Sequence, residues 1–393
     1  MEHWPKDHLP SPGSPAGDDA WCMDLALALA ARGQGTVDPN PMVGAVVVRD
    51  GRIAGLGWHV RPGEPHAEVH ALRAAGDLAQ GATLYVNLEP CAHHGRTPPC
   101  TDAIIAAGIR RVVAAIEDPN PQVRGQGFAQ LRAAGIEVTV GVRAQEARRL
   151  NEVFLKYAAT GRPFVLLKAG VSLDGRIATR NGASRWITGP EARAAVHRLR
   201  AAYPAIMVGS GTALADDPEL TARTEPPAAR QPLRVVVDSR ARLPVTARML
   251  RAPGRTLVAV TRAAPGARRR ALEQAGAEVV TLPDREGHVD LEALLEELGR
   301  RGISGVLLEG GSTLNGAMLQ LGLVDKVMFF IAPVLIGGRE APGAIGGAGA
   351  ASLADAPRLV DVAWAAYGAD LCVTGYLPGS GAPGAAPAAG NHA

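Results

Sequence analysis

The stretch from Pro65 to Cys100 constrains this chain more than any other. It opens PHAEVHAL and closes LEPCAHHGRTPPC, supplying an imidazole (His66), a carboxylate two residues on (Glu68) and two thiols (Cys91 and Cys100). One nitrogen, two sulfurs and a spare carboxylate make the inventory of a catalytic zinc site. Such a site keeps its fourth position for water, whereas a structural site fills it with protein. Zinc lowers the pKa of that water to about 7, and a carboxylate that is not a ligand moves the protons. Spacing alone leaves other ligand sets open. His70 shares a helix face with His66, and His93 and His94 sit beside Cys91, so a closed structural site is an alternative. Cys22 and Cys372 have no such company and read as packing.

At 393 residues the chain is long enough for two or three domains. It is 47% hydrophobic and 20% charged, which suits globular cores, and with 4% aromatics those cores must be Ala, Val, Leu and Ile. A net charge of +3, with no basic block beyond Arg268–Arg270, argues against nucleic acid as the main partner. The first residues lack the apolar core of a signal peptide, and no run approaches the length of a membrane span. A cytoplasmic setting is expected, where paired cysteines point to metal rather than to a disulfide.

Periodicity and turn residues divide the chain. Residues 1–18 are expected to be a disordered lead. A helix over Asp19–Arg32 ends at Gly33; strands Val43–Val48 and Ile53–Trp58 flank an Asp50-Gly51 hairpin turn. Helix His66–Ala75, strand Ala82–Leu88, helix Thr101–Ala107, strand Arg111–Ile116, helix Phe128–Ala134 and strand Ile136–Val140 follow. This alternation predicts an α/β sandwich with a largely parallel sheet. On it, His66 and Glu68 share the first turn of one helix. Cys100 opens another, where the dipole favours a thiolate. One helix is expected over Gln145–Thr160, and Gly161-Arg162-Pro163 marks a domain boundary.

The second half reads as strands at 164–168, 205–208, 233–237, 257–260, 278–282 and 306–309, separated by helices. Residues 209–212 and 310–316 read as small-residue loops ahead of helices, able to bring main-chain N–H groups to phosphates. Neither is a dinucleotide fingerprint, so plain turn chemistry competes with a cofactor there. Segments 327–336, 360–364 and 371–376 close the fold, giving domains at 19–160 and 161–378 with a disordered tail over 379–393.

PNPMVGAVVV, GWHVRPGEPHAEVHAL, LEPCAHHGRTPPCTDAI and EDPNPQVRGQG resemble the deaminase half of the bifunctional riboflavin-biosynthesis deaminase–reductase. General cytidine deaminases space their cysteines as C-x-x-C, whereas here HHGRTPP intervenes. The resemblance implies a cytidine-deaminase-like α/β/α sandwich, one Zn2+ per chain on His66, Cys91 and Cys100, and Glu68 as general acid/base. It also implies a phosphorylated pyrimidine substrate, for which Asn40, His59, His94, Arg96 and Thr97 are the available donors. Asn40, between two prolines, also suits a plain turn.

KAGVSLDGRIA, SRWITG, MVGSGTALADDPELTAR, VVVDS and LLEGGSTLNGAML resemble the reductase half of the same family, an α/β fold related to dihydrofolate reductase. That implies NADPH, with contacts from Trp186, Thr212, Asp216, Ser239 and the loop Gly311, Ser312, Thr313, Leu314, Asn315, Gly316 and Ala317. Substrate contacts fall on Ser184, Arg200, Leu220, Arg223 and Glu309. Lys168 and Asp174 are possible catalytic groups. Trp186 also reads as a core residue, and Asp216-Asp217-Pro218 as a structural turn. The expected partners are the phosphorylated pyrimidine and further copies of the chain, a homo-oligomer, with no nucleic acid and no membrane. Two rival functions stay open on sequence: a nucleic-acid or free-base deaminase with a spare domain, and a zinc-stabilised scaffold.

Overall fold

The computed structural model describes residues 9–93, 98–120 and 123–379. The chain divides into two compact units, Met1–Thr160 and Gly161–Ala393. In the first, strands β1 (Gly44–Arg49), β2 (Arg52–Trp58), β3 (Thr83–Val86), β4 (Arg111–Ala114) and β5 (Glu137–Val140) form a sheet in the order β2-β1-β3-β4-β5. Around it lie α1 (Asp19–Ala30), α2 (Ala67–Ala75), α3 (Cys100–Ala106), α4 (Gln126–Ala133), α5 (Ala144–Leu150) and α6 (Glu152–Thr160). The sheet is mixed, not largely parallel: β1 runs antiparallel to β2 and β3, while β3–β4 and β4–β5 are parallel. The two-residue Asp50-Gly51 turn can join only antiparallel neighbours, so it reverses β1 against the strands that follow.

Glycines let helices press onto both faces of this sheet. A Cβ at Gly44 would lie 2.0 Å from the Ala26 carbonyl of α1. One at Gly57 would lie 2.3 Å from the Ala67 carbonyl of α2, and one at Gly55 2.1 Å from that of Ala71. Gly57 pairs with Ala45, the neighbour of Gly44, so alternation along the strand puts α1 and α2 on opposite faces. The core between is the expected Ala, Val, Leu and Ile.

Two further expectations for this unit are corrected. The lead is ordered in part: Gly13 N–H donates to Ile53 O (2.7 Å), Ile53 N–H to Ser14 O (2.9 Å) and Ala16 N–H to Gly51 O (2.8 Å). Residues 13–16 thereby cover the start of the edge strand β2, which otherwise presents unpaired backbone groups. The single helix expected over Gln145–Thr160 is two, α5 and α6, parted at Asn151. The Asn151 amide is committed to Met42, accepting from its N–H (2.8 Å) and donating to its carbonyl (2.9 Å).

In the second unit the strands are β6 (Phe164–Ser172), β7 (Ala205–Gly209), β8 (Leu233–Val237), β9 (Thr256–Val260), β10 (Glu278–Thr281), β11 (Asp284–Arg285), β12 (His288–Val289), β13 (Gly305–Leu308), β14 (Lys326–Ala332), β15 (Val360–Tyr367) and β16 (Asp370–Tyr376). The helices are α7 (Pro190–Ala202), α8 (Ser210–Asp216), α9 (Arg248–Arg251), α10 (Gly266–Gln274), α11 (Leu291–Arg300) and α12 (Ser312–Gln320). Nine strands form one sheet, β10-β9-β8-β7-β13-β6-β14-β16-β15, parallel as far as β14 and antiparallel across β14-β16-β15; β11 and β12 pair separately. The segments expected as loops ahead of helices at 209–212 and 310–316 are already helical from Ser210 and from Ser312. Gly209 and Gly311 are their extended N-caps. Small residues serve close approach here, because a Cβ on Gly311 would lie 2.9 Å from Thr212 Oγ1. The strand expected over 327–336 stops at Ala332, before Pro333, which has no N–H to give a ladder.

An added methyl group at these contacts has nowhere to go. Gly44→Ala and Gly57→Ala are each expected to cost about 1–3 kcal/mol, read as lower urea midpoints. Only Gly57→Ala should also disturb the first turn of α2, seen as amide shifts around residues 66–68; unchanged midpoints would refute the tight packing.

Candidate functional site

His66 is the N-cap of α2 and Glu68 lies in its first turn, so the start of one helix supplies both. Cys91 follows β3, and Cys100 opens α3 with its N–H on Cys91 Sγ at 3.4 Å. The Cys91 carbonyl accepts from the Thr101 N–H at 3.2 Å. His66 Nδ1 is 3.2 Å from Cys100 Sγ and 3.5 Å from Cys91 Sγ, and the three ligand atoms lie within 4.8 Å of one another. They are the only such metal-ready group among the described residues. The alternative donors His70 and His93 are not part of it.

Charge and protons fit a cation at this point. Hydrogen bonding from Cys100, then from His66, lowers the Cys91 thiol to about 4, and its own bond to Cys91 with burial pushes Cys100 up. The hydrogen bond to Cys91 raises His66. A divalent ion would displace the protons these groups share. Glu68 is 3% exposed, and its Oε2 is buried without a hydrogen-bond partner. Burial raises its pKa, against the pull of His66. One imidazole, two sulfurs and a buried carboxylate with one oxygen left unpartnered are the donor chemistry of a zinc centre with a position for water.

Of the other expected deaminase residues, Asn40 Nδ2 and His59 Nε2 are 3.0 Å apart, and the His59 ring stacks edge-on against His66 at 5.3 Å. Burial lowers the pKa of His59. The loop of Asn40 is held because Asn87 accepts from Gly44 N–H and donates to Met42 O, alongside Asn151. His94, Arg96 and Thr97 lie outside the described residues.

In the second unit, Lys168 on β6 and Glu309, just after β13, meet Arg200 of α7. Arg200 grips Glu309 through Nε (2.7 Å) and a terminal nitrogen (2.9 Å), and Lys168 Nζ is 3.4 Å from the same carboxylate. Thr212 and Ser239 likewise follow the ends of β7 and β8, the side of an open α/β sheet where ligands bind. Asp216 accepts from Ser184 Oγ at 3.2 Å. Trp186 is 68% exposed with Arg193 over its ring, which excludes the core reading. Leu220 is buried at a φ of 53°, so its backbone is what it can offer a ligand. Ser239 Oγ accepts from Val289 N–H at 3.0 Å. Asn315 donates to Ala344 O at 3.0 Å. Asp174 accepts from Ser172 Oγ and from the N–H groups of Ile336 and Gly337, which hold it at about 2. Such a carboxylate ties a loop and has no proton to give. His197, overlooked in the sequence, lies one turn before Arg200 and meets the Arg223 N–H and guanidinium at 3.3 and 3.2 Å. The H-x-x-R spacing on one helix face was its signal.

Residues 17–116 match the family model for the cytidine and deoxycytidylate deaminase zinc-binding region, and residues 163–373 that for the RibD C-terminal domain. The riboflavin biosynthesis protein RibD of Escherichia coli is 48% identical over 370 residues, covering 90% of this chain and 98% of that protein. RibD of Bacillus amyloliquefaciens is 43% identical over 367 residues, covering 93% and 98%. Among solved structures, RibD of Acinetobacter baumannii superposes with a TM-score of 0.82 at 41% identity, covering 91% of this chain and 98% of that one. A diaminohydroxyphosphoribosylaminopyrimidine deaminase/5-amino-6-(5-phosphoribosylamino)uracil reductase from Thermotoga maritima gives 0.79 at 38%, with the same coverage.

The Glu309 cluster makes stability depend on pH. Burial alone would raise this carboxyl, but Arg200 and Lys168 outweigh it and hold it at about 2, below its ordinary 4.5. The stabilisation is complete above pH 4.5 and is lost as pH falls toward 2. Glu309→Gln leaves two half-buried cations without their anion and should cost up to about 3 kcal/mol near neutral pH. Urea midpoints of wild type and variant should converge in acid; a constant gap would refute the pairing.

Proposed function

The chain belongs to the RibD family of bifunctional riboflavin-biosynthesis deaminase–reductases, and from that premise we propose which of its residues do the chemistry. It is a zinc-dependent deaminase and an NADPH-dependent reductase on one chain. We assign the deaminase to residues 19–160 and the reductase to 161–378, a division supported by the two compact units. The substrate is 2,5-diamino-6-(5-phosphoribosylamino)pyrimidin-4-one, and the deaminated 5-amino-6-(5-phosphoribosylamino)uracil is then reduced from ribosyl to ribityl. This reading is supported by the printed activity of the Thermotoga maritima relative.

His66, Cys91 and Cys100 hold the zinc, and Glu68 moves the protons. The observation that carries this is the buried, unpartnered Glu68 Oε2 in the same helical turn as His66. When bound, the metal lowers the pKa of water to about 7. Glu68 takes a proton from the attacking water and delivers it to the leaving amine, a task suited to a carboxyl raised by burial. His59, paired with Asn40 and lowered in pKa by burial, faces the substrate beside His66, and His94, Arg96 and Thr97 complete that recognition.

In the reductase NADPH supplies the hydride. The adjoining starts of α8 and α12, with Thr212 and the residues from Gly311 to Ala317, cradle the cofactor together with Trp186, Asp216 and Ser239. Arg200, Glu309, Ser184, Leu220 and Arg223 orient the sugar phosphate. Of the two acid candidates we favour Lys168, which lies against Glu309, since Asp174 is committed to three hydrogen bonds.

We place the enzyme in the cytoplasm, a reducing setting that suits its four free thiols. A homo-oligomer is supported by β15, an edge strand whose region exposes Val362 (44%), Trp364 (73%) and Leu371 (45%).

Glu68→Gln should retain its zinc and its reduction of supplied uracil intermediate, while deamination falls by a factor of about 100 to 10,000. Mass spectrometry of both products, with and without NADPH, reads this out, and near-normal deamination would sink the assignment. Trp364→Glu should lower the mass measured by light scattering while leaving both units folded. A monomeric wild type would end the oligomer proposal.

A further inference from the structure

Helix α4 supplies no metal ligand, yet it is fastened to both cysteine-bearing segments. Glu89, two residues before Cys91, is 4% exposed and accepts four backbone N–H groups. Oε1 takes those of Gly127 (2.9 Å) and Phe128 (3.3 Å) in the first turn of α4. Oε2 takes those of Gly125 (3.0 Å) and Asp118 (3.1 Å). A Cβ on Gly127 would lie 2.0 Å from the Pro90 carbonyl, so the segment 89–91 packs directly on this helix. Further along α4, Gln130 accepts from Thr101 Oγ1 at 2.9 Å and donates to Asp102 at 2.9 Å. Thr101 and Asp102 directly follow Cys100. One short rigid helix is thus clamped beside each thiol.

We propose that α4 is the strut that sets the position of Cys91 relative to Cys100, with Glu89 and Gln130 as its positioning residues. The inference rests on the reading of these cysteines as zinc ligands. A carboxylate that only capped α4 would support the stability of the unit without discriminating metal affinity. A strut does more, because a bound ion feels any change in the separation of its two sulfurs. Glutamine at position 89 keeps one oxygen for α4 but turns an amide NH2 toward at least one pair of N–H donors, which releases part of the clamp.

The test uses the full chain, zinc competition against a chromogenic chelator, and the thiolate-to-cobalt absorption of the Co2+-substituted protein. Glu89→Gln and Gln130→Ala should each weaken zinc about tenfold, with the cobalt band kept and reductase turnover within about twofold of wild type. Wild-type zinc affinity in both variants overturns the strut. So does loss of zinc only in parallel with a general loss of folding and reductase activity. Should Glu89→Gln fail to fold, Gln130→Ala carries the test alone. Cys91→Ser separates the two levels: if it binds zinc as wild type does, the ligand assignment itself fails, not merely the strut.

Discussion

The close approach of α2 to β2 is the contact on which the first unit depends. Gly55 and Gly57 leave no side chain between strand and helix, so the helix backbone lies directly on the strand. That brings the first turn of α2, with His66 and Glu68, down to the level of the sheet, where Cys91 and Cys100 arrive from β3 and α3. Side chains on the glycines would lift the imidazole and the carboxylate together, away from the two sulfurs. Helix position therefore governs how His66 and Glu68 meet the two sulfurs, and the burial that raises Glu68.

Burial acts on the same site in a second way. Glu68 is a buried carboxyl with an oxygen that no protein group satisfies, a costly arrangement unless function requires it. Glu89, in the segment that carries Cys91, is the opposite case: buried to a similar degree, but with four N–H donors. The pair shows two ways of burying a carboxyl, one with every oxygen partnered and one with an oxygen left over. A similar division runs through the second unit, where Asp174 ties down a loop and Glu309 sits between two cations at the strand ends.

The reductase residues converge because the sheet is parallel from β10 to β14. In such a sheet every strand delivers its following loop to the same edge. Residues far apart in sequence, such as Lys168, Thr212 and Glu309, therefore reach one side with no shared local motif. Two glycine-preceded helices begin there, which explains why small residues recur at 209–212 and 310–316 without any dinucleotide fingerprint.

The amino-acid sequence by itself carried the candidate donors His66, Cys91 and Cys100 with Glu68 beside them, most strands and helices, and the break at Gly161-Arg162-Pro163. Donor chemistry and turn residues are local properties, and a ligand type can be read wherever it stands. Tertiary structure alone decided what depends on distant partners. Asn151 splits a helix because Met42 needs its amide. Residues 13–16 are ordered because an edge strand needs cover. Ser210 and Ser312 begin their helices inside the stretches whose composition suggested loops leading into them. Asp174 kept the look of a catalytic acid until the backbone N–H groups of Ile336 and Gly337, some 160 residues away, were seen to occupy it. Which residue could hold a zinc ion was a matter of chemistry; which carboxylate was free to work beside it was a matter of who else had reached it in space.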